Sequence, residues 1–278
     1  MSTDLLTRDG PGSGQGGVWA YVSASRLGKW LSCPLAMKFQ YIDGLRPPTT
    51  PSQFLGKVVH RGLEAFNRHR QLGMSLAPGD VSERMVASWD QWAADEKMKF
   101  TSSSDETALR QQAIGLVTTY LAQAPTEETP RAVEVALEAP LVDPETGENL
   151  GLPLVGILDL IVADAAGFNV VDFKTSARSS EPLEVVHEIQ LSSYAYLLRA
   201  ALGEEEGALE IRSLIKTKKP KIQFHRYPAR TDVHFFRLFA AIREYLDALD
   251  RGRVVFRPGF GCSVCDFRES HCRQWAGA

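Results

Sequence analysis

No apolar run in the 278 residues approaches the ~20 that a membrane-spanning helix needs. The first seventeen residues also lack the basic-then-apolar order of a secretory signal. A cytoplasmic protein with no membrane association is expected. Surplus positive charge is missing too: 31 Lys and Arg against 34 Asp and Glu leave a net charge of −3. Composition therefore neither supports nor excludes a polyanionic partner, for which clustering matters more than the sum. One segment, Lys216-Thr-Lys-Lys-Pro-Lys221, is distinctly basic. Cysteine is scarce, with one residue at Cys33 and three near the end as Cys262-x-x-Cys265-x₆-Cys272. A nucleotide-binding Gly-x-x-x-x-Gly-Lys-Ser/Thr loop is absent. Hydrophobic content of 44% and charged content of 23% are ordinary for a globular chain of one large or two small domains.

The stretch Gly156 to Thr175 is the organising centre. Leu154 to Ala163 and Phe168 to Lys174 are rich in Val, Ile, Leu and Phe and read as strands. Between them Asp164-Ala-Ala-Gly167 reads as a hairpin loop. A loop closing about Ala165 and Ala166 sets Asp159 opposite Asp172. Directly opposed residues have Cβ atoms ~4.5–5.5 Å apart, and Lys174, two positions on, shares the face of Asp172. Two close carboxylates repel, and a divalent cation with oxygen ligands resolves the conflict. The competing reading is that the register slips by one residue and leaves one Asp facing solvent.

Along the chain, residues 1–20 form a Gly-rich tail expected to be disordered. Ser23 caps a helix to Leu31, Cys33-Pro34 breaks it, and a second helical stretch runs from Leu35 to Tyr41. From Ser52 to about Leu72, Phe54, Leu55, Val58, Val59, Leu63 and Phe66 recur at helical spacing. His60 and Glu64 share one side of that helix. Helices follow over about Val81–Phe100, carrying Trp89 and Trp92, and Glu106–Gln123. Arg131 to Val142 reads as the first strand, with Glu134 and Glu138 facing one side. A helix from Pro182 to Leu202 places Gln190 and Tyr194 on one face, with Val186, Ile189, Leu197 and Leu198 buried. A hairpin, Ala208–Lys216 and Lys221–Tyr227, carries the basic tip. Arg230 to Leu249 is an amphipathic helix through Val233, Phe236, Phe239, Ala240, Arg243 and Leu246.

Gly156-x-x-Asp159 followed by Asp172-x-Lys174 resembles the core of the PD-(D/E)XK nuclease superfamily. Gly56-Lys-Val-Val-His60 upstream and Gln190-Leu-Ser-Ser-Tyr194 downstream are similar to the branch holding RecB-type and AddB-type nuclease domains and the CRISPR-associated iron–sulfur exonucleases. The likeness runs from about Ser23 to Cys272. It implies an α/β fold, a central mixed sheet flanked by helices, with a helical insertion and a terminal Cys-ligated cluster. The expected divisions are a tail over 1–20, a helical region over 21–128, a nuclease core over 129–256 and a cluster-binding segment over 257–278.

The resemblance further implies a metal-dependent deoxyribonuclease acting on single-stranded ends or overhangs, in repair, recombination or CRISPR spacer acquisition. His60, Asp159, Asp172 and the Phe173 carbonyl would hold Mg²⁺ or Mn²⁺. Lys174 would act on the attacking water or the transition state, with Gln190 and Tyr194 supporting the site. Lys216, Lys218, Lys219 and Lys221 are candidates for phosphate contact, although a solvated turn is often Lys-rich. A helicase or a CRISPR adaptation protein is a candidate partner, since unwinding must be supplied from outside. Thiol spacing alone suits either zinc or a [4Fe–4S] cluster. The resemblance favours the cluster on Cys33, Cys262, Cys265 and Cys272. The six-residue last gap is one longer than the commonest pattern, and His271 keeps a Cys₃His zinc site open. Alternatives are a non-catalytic DNA-binding or assembly subunit and a zinc-stapled interaction protein.

Overall fold

Runs of aliphatic residues separated by polar turns build one five-stranded sheet in a computed structural model of the protein, which describes residues 17–164, 167–177 and 184–276. The strands are β1 (Thr129–Val142), β2 (Asn149–Asp164), β3 (Gly167–Ser176), β4 (Glu206–Ile215) and β5 (Lys221–Pro228), in that spatial order. Neighbours are antiparallel except β3 and β4, which run parallel, so the sheet is mixed. A parallel pair needs a crossover, and here it contains α6 (Glu184–Leu197), extended by a π-helical turn to Leu202.

Five helices precede the sheet: α1 (Ala24–Ser32), α2 (Pro34–Met37), α3 (Pro51–Gln71), α4 (Pro78–Asp95) and α5 (Ser103–Leu121). Another α-helix, α7 (Asp232–Asp250), follows it. One sheet face buries Ile161, Val170, Leu209 and Ile211 against Leu27 of α1, Leu191 and Leu197 of α6, and Leu238, Phe239 and Ile242 of α7. The other face buries Leu160, Val162, Val171 and Phe173 against Phe54, Val58, Val59 and Leu63 of α3, Trp89 of α4, and Val117 and Tyr120 of α5. Each such side chain contributes roughly 1.5–3 kcal/mol when fully withdrawn from water. No helix among the described residues is long and apolar enough to cross a membrane.

Local chemistry sets the helix ends. Ser23 accepts the Arg26 N–H at 3.3 Å and caps α1. Thr50 caps α3 in a reciprocal box with Gln53, and Pro51 sits where its missing N–H costs nothing. Three expectations need correcting. The helix expected to reach Phe100 stops at Asp95, because Lys97 adopts a left-handed φ of 49° and the chain doubles back. Phe100 then stacks on Trp89 and meets Phe54 edge-on. On α7 the buried stripe is Phe235, Leu238, Phe239, Ile242 and Tyr245, whereas Val233 and Phe236 are 56% and 62% exposed. On α6, Val186 is 70% exposed. Both helices carry more apolar positions than one face can bury, so spacing alone does not pick out the buried ones. The N-terminal tail to residue 16, Ala165-Ala166 of the hairpin loop and the start of the crossover at 178–183 lie outside the described residues.

Besides register shifts at Pro130/Ala132 and Pro140/Val142 of β1 and at Phe168/Asn169 of β3, the alternation breaks midway along the β1–β2 pair. β1 and β2 keep a constant register from Ala132–Ile161 to Ala139–Leu154. Val133 and Leu160 nonetheless face α3, while Leu137 and Leu158 belong to the opposite core. The phase changes between them, at Glu134 and Asp159, which stand opposite each other in that register. Glu134 carries a φ of 46°, the left-handed conformation that non-glycine residues adopt at a cost.

Candidate active site

The β2–β3 pairing runs from Asp164–Gly167 to Leu160–Val171 and there ends. The next residues in that register are Asp159 and Asp172. Beyond this point β2 stays with β1, and β3 with β4. Phe173 therefore has backbone groups on its β2 side without a strand partner, and buried backbone polar groups must be satisfied. Side chains do so: the Phe173 N–H donates to Asp159 Oδ2 at 2.8 Å, and the His60 Nε2 lies 3.0 Å from the Phe173 carbonyl oxygen. The gap between the strands is thus lined by an acid from β2 and an imidazole from α3.

His60 reaches the gap because α3 presses its apolar face on the sheet, with Val59 and Leu63 wholly buried on either side of it in sequence. Gly56, one turn earlier, is where a Cβ would stand 3.3 Å from Thr175 Oγ1. With Nε2 held by Phe173, the His60 Nδ1 points to two carboxylates, 3.5 Å from Asp159 Oδ1 and 3.8 Å from Glu134 Oε1. Burial alone would lower the His60 pKa, but the bonds and charges of Asp159 and Glu134 outweigh it and raise it to about 10. Ligand atoms of His60, Glu134 and Asp159 lie within 4.8 Å of one another. Two carboxylates and an imidazole are a donor set for Mg²⁺ or Mn²⁺. The two carboxylates gathered at Nδ1 mark where a cation is wanted, so the residues present fit the ion.

Asp172 lies on the α6 side and is almost wholly buried. Its Oδ2 is 2.7 Å from Lys174 Nζ, and Oδ1 accepts from Gln190 Nε2 at 2.9 Å. Burial, with the charge of Asp159 adding to it, raises the Asp172 pKa; Lys174 and His60 work against the rise. Gln190 gives its other amide hydrogen to the Tyr194 hydroxyl at 2.7 Å. Burial and then the charges of Asp172 and Asp159 hold the Tyr194 phenol well above its usual range. It stays protonated, its own hydrogen free for a further acceptor. Gly156 explains how α6 comes so close: a Cβ there would stand 2.7 Å from Leu197 Cδ1 and 3.8 Å from Tyr194 Cε1.

The structure thus brings His60, Asp159, Asp172, Phe173, Lys174, Gln190 and Tyr194 together around one opening in the sheet. The Phe173 carbonyl serves there as the anchor of His60. Sequence reasoning missed two neighbours. Glu134 was placed on a strand but given no role, and its signal, an acid opposite Asp159 at a break in alternation, needs the β1–β2 register. His187 lies one turn before Gln190 on α6, its pKa lowered by burial and by the charge of Lys174. The basic tip stands apart. Lys216 donates to Ser52 Oγ at 2.7 Å, two turns of α3 or ~12 Å along its axis from His60. Lys218, Lys219 and Lys221 are exposed beyond it.

A second centre lies at the chain ends. Cys33, between α1 and α2, shares a cavity of about 360 Å³ with Cys262, Cys265 and Cys272. All four are free thiols. Burial raises the Cys272 pKa, and its three cysteine neighbours add to the rise. Leu35, Ala36, Phe39 and Phe267 form the small apolar cluster against which three of these thiols pack. His271 is engaged elsewhere, packing its ring on Phe39 and Phe267 while Nδ1 meets Ser270 Oγ at 2.9 Å.

No curated protein matches the sequence. Among solved structures, one from Eubacterium rectale named "Putative exonuclease" aligns over 91% of this chain and 88% of its own, at 16% identity and a TM-score of 0.57. At that identity the likeness speaks to the fold. The structure of SSO0001 aligns over 92% of this chain and 88% of its own, at 13% identity and a TM-score of 0.45, and carries no argument. The model of the PD-(D/E)XK nuclease superfamily matches residues 21–273, a span that holds all five strands, α1 to α7 and the four cysteines. The chain belongs to the PD-(D/E)XK nuclease superfamily.

Proposed function

We propose that the protein is a Mg²⁺- or Mn²⁺-dependent DNA exonuclease acting on single-stranded ends or overhangs. The observation that carries the hydrolytic reading is one opening in the sheet, where His60, Glu134 and Asp159 offer three donor atoms within 4.8 Å beside the Asp172–Lys174 pair. A bound divalent cation supplies a Lewis acid and an activated nucleophile for phosphodiester hydrolysis. The chain's own groups do the rest. Phe173 fixes the His60 ring so that Nδ1 faces the Asp159 and Glu134 carboxylates, with which it would hold the ion, since the hydrogen bond made by one imidazole nitrogen decides what the other can do. Gln190 holds Asp172 in place. Lys174 puts an ammonium group where negative charge builds on the phosphate, and a preorganised donor there costs no reorganisation during reaction.

The four cysteines would hold a [4Fe–4S] cluster that ties the start of the chain to its end. The same four thiols could take a single tetrahedral zinc ion, with bonds of about 2.3 Å; the cluster is preferred for its likeness to the iron–sulfur branch of the superfamily. End-trimming in recombination repair or in CRISPR spacer acquisition, in the cytoplasm and beside a helicase or an adaptation protein, is the setting this chemistry suits.

Digestion of end-labelled single strands and overhang duplexes tests the reading. Mn²⁺ should give stepwise shortening from an end, and EDTA or Asp172→Ala should stop it. Binding without cleavage under all metal conditions would make the chain a non-catalytic subunit instead.

A further inference from the structure

Beside the His60 imidazole an open cleft of about 740 Å³ is walled by Gly56, Lys57, His60 and Arg61 of α3, Asp95 at the end of α4, Glu96 just after it, and Glu134. We infer that Lys57 and Arg61 form a subsite for a backbone phosphate of the substrate strand, next to the scissile one, and that Glu96 holds their place until it arrives. This rests on the nuclease reading above.

Three features lead there. Lys57 and Arg61 sit on the two sides of His60, each within one turn of it, ~5.4 Å of helix. An anion they bind is therefore close to the metal centre yet separate from it. Both cations pair with the same carboxylate: Lys57 with Glu96 Oε2, and Arg61 Nη2 with Glu96 Oε1 at 3.5 Å. The Arg61 guanidinium lies over the Trp92 ring, 5.3 Å from its centroid, a cation–π contact. The position of Glu96 is the third. It follows Asp95 at the C-terminal end of α4, whose last turn has no basic residue. A helix end carries partial negative charge and disfavours acids there, so α4 does not stabilise Glu96; the two cations of α3 do. Exchanging that carboxylate for a phosphodiester replaces one anion with another, and the charges need not be uncovered between the two states. Arg is suited to the exchange, because its planar fork matches phosphate oxygens in pairs.

The test uses the full chain and a short fluorescein-labelled single strand, in EDTA so that nothing is cut, titrated at several salt concentrations. Lys57→Gln and Arg61→Gln should each weaken binding severalfold. Each should also flatten the slope of log affinity against log salt, and the two together should flatten it by about 0.7, one phosphate contact on a single strand. Glu96→Gln should do the opposite to affinity and tighten it, since a carboxylate that competes with the phosphate for both cations is gone. A merely structural ion pair predicts weakening or no change from all three. An unchanged salt slope in Lys57→Gln, or weaker binding by Glu96→Gln, overturns the subsite. A wild type that binds with the full slope but never cleaves with Mn²⁺ sinks the nuclease reading alone. A cleaving wild type with an unaltered Lys57→Gln slope sinks this subsite alone.

Discussion

The Asp159 carboxylate accepts the Phe173 N–H at 2.8 Å, at the point where β2 and β3 stop pairing. One side chain therefore closes the backbone of the sheet and faces the candidate metal position. Its two jobs separate on substitution. Asp159→Asn keeps an acceptor for the N–H and should leave stability within ~1 kcal/mol, while Asp159→Ala orphans a buried donor at a cost of about 1–3 kcal/mol. Both should lose cleavage. Urea denaturation with an oligonucleotide assay measures the pair, and wild-type cutting by Asp159→Asn would remove the acid from the chemistry.

Asp172 is held where its charge is unwelcome. Its folded-state pKa lies above the unfolded value, first through burial. Ionising it therefore costs stability at neutral pH, and that cost disappears as pH falls below the unfolded value. Asp172→Asn should be at least as stable as wild type near neutral pH without metal, yet inactive. Thermal unfolding in EDTA checks this; a loss beyond ~1 kcal/mol would mean that the Lys174 and Gln190 contacts outweigh the burial.

His60 carries the opposite sign. Its folded-state pKa of about 10 exceeds the ordinary 6.5. The stability it lends the metal-free protein is complete below the unfolded value and fades as pH rises through the folded one. A cation on Nδ1 must displace that proton, so Mn²⁺ affinity should rise by about tenfold per pH unit below the folded value, with one proton released. Calorimetry in buffers of different ionisation enthalpy counts the proton. His60→Gln should flatten the dependence, and pH-independent Mn²⁺ binding by wild type would exclude His60 as a ligand.

Glu134 sits in a left-handed conformation that glycine tolerates without strain. Glu134→Gly should hold or gain stability, by up to ~1 kcal/mol, while weakening Mn²⁺ binding. Glu134→Gln should weaken binding with the backbone strain retained. Full metal affinity in both variants would show that the carboxylate serves the fold alone.

Cys33 and Cys272 line the same cavity from opposite ends of the chain. Replacing either by Ala should abolish iron binding and absorbance near ~400 nm. Protease resistance at the termini should be lost together with the iron, because closing so long a loop is worth roughly 4–5 kcal/mol. Iron content and limited proteolysis read the two effects side by side. Zinc at one equivalent in anaerobically purified protein would replace the cluster with a single ion.

The register of the central hairpin was legible in sequence from a short loop between apolar runs, but not that pairing stops at Leu160–Val171, one step before Asp159 and Asp172. Helical spacing likewise gave α3, with His60 next to a buried stripe, and α6, with Gln190 and Tyr194 a turn apart. Spacing failed where apolar positions outnumbered the available face, as at Val186, Val233 and Phe236. Local sequence fixes periodicity but not which side a neighbour will cover. Glu134 shows the same limit more sharply. Its part in the site depends on a reversal of phase shared by two strands and on an imidazole borne by a third element. The order of residues alone determined which acids lie near the centre of the sheet, and only packing decided that the sheet opens there to form a charged cleft.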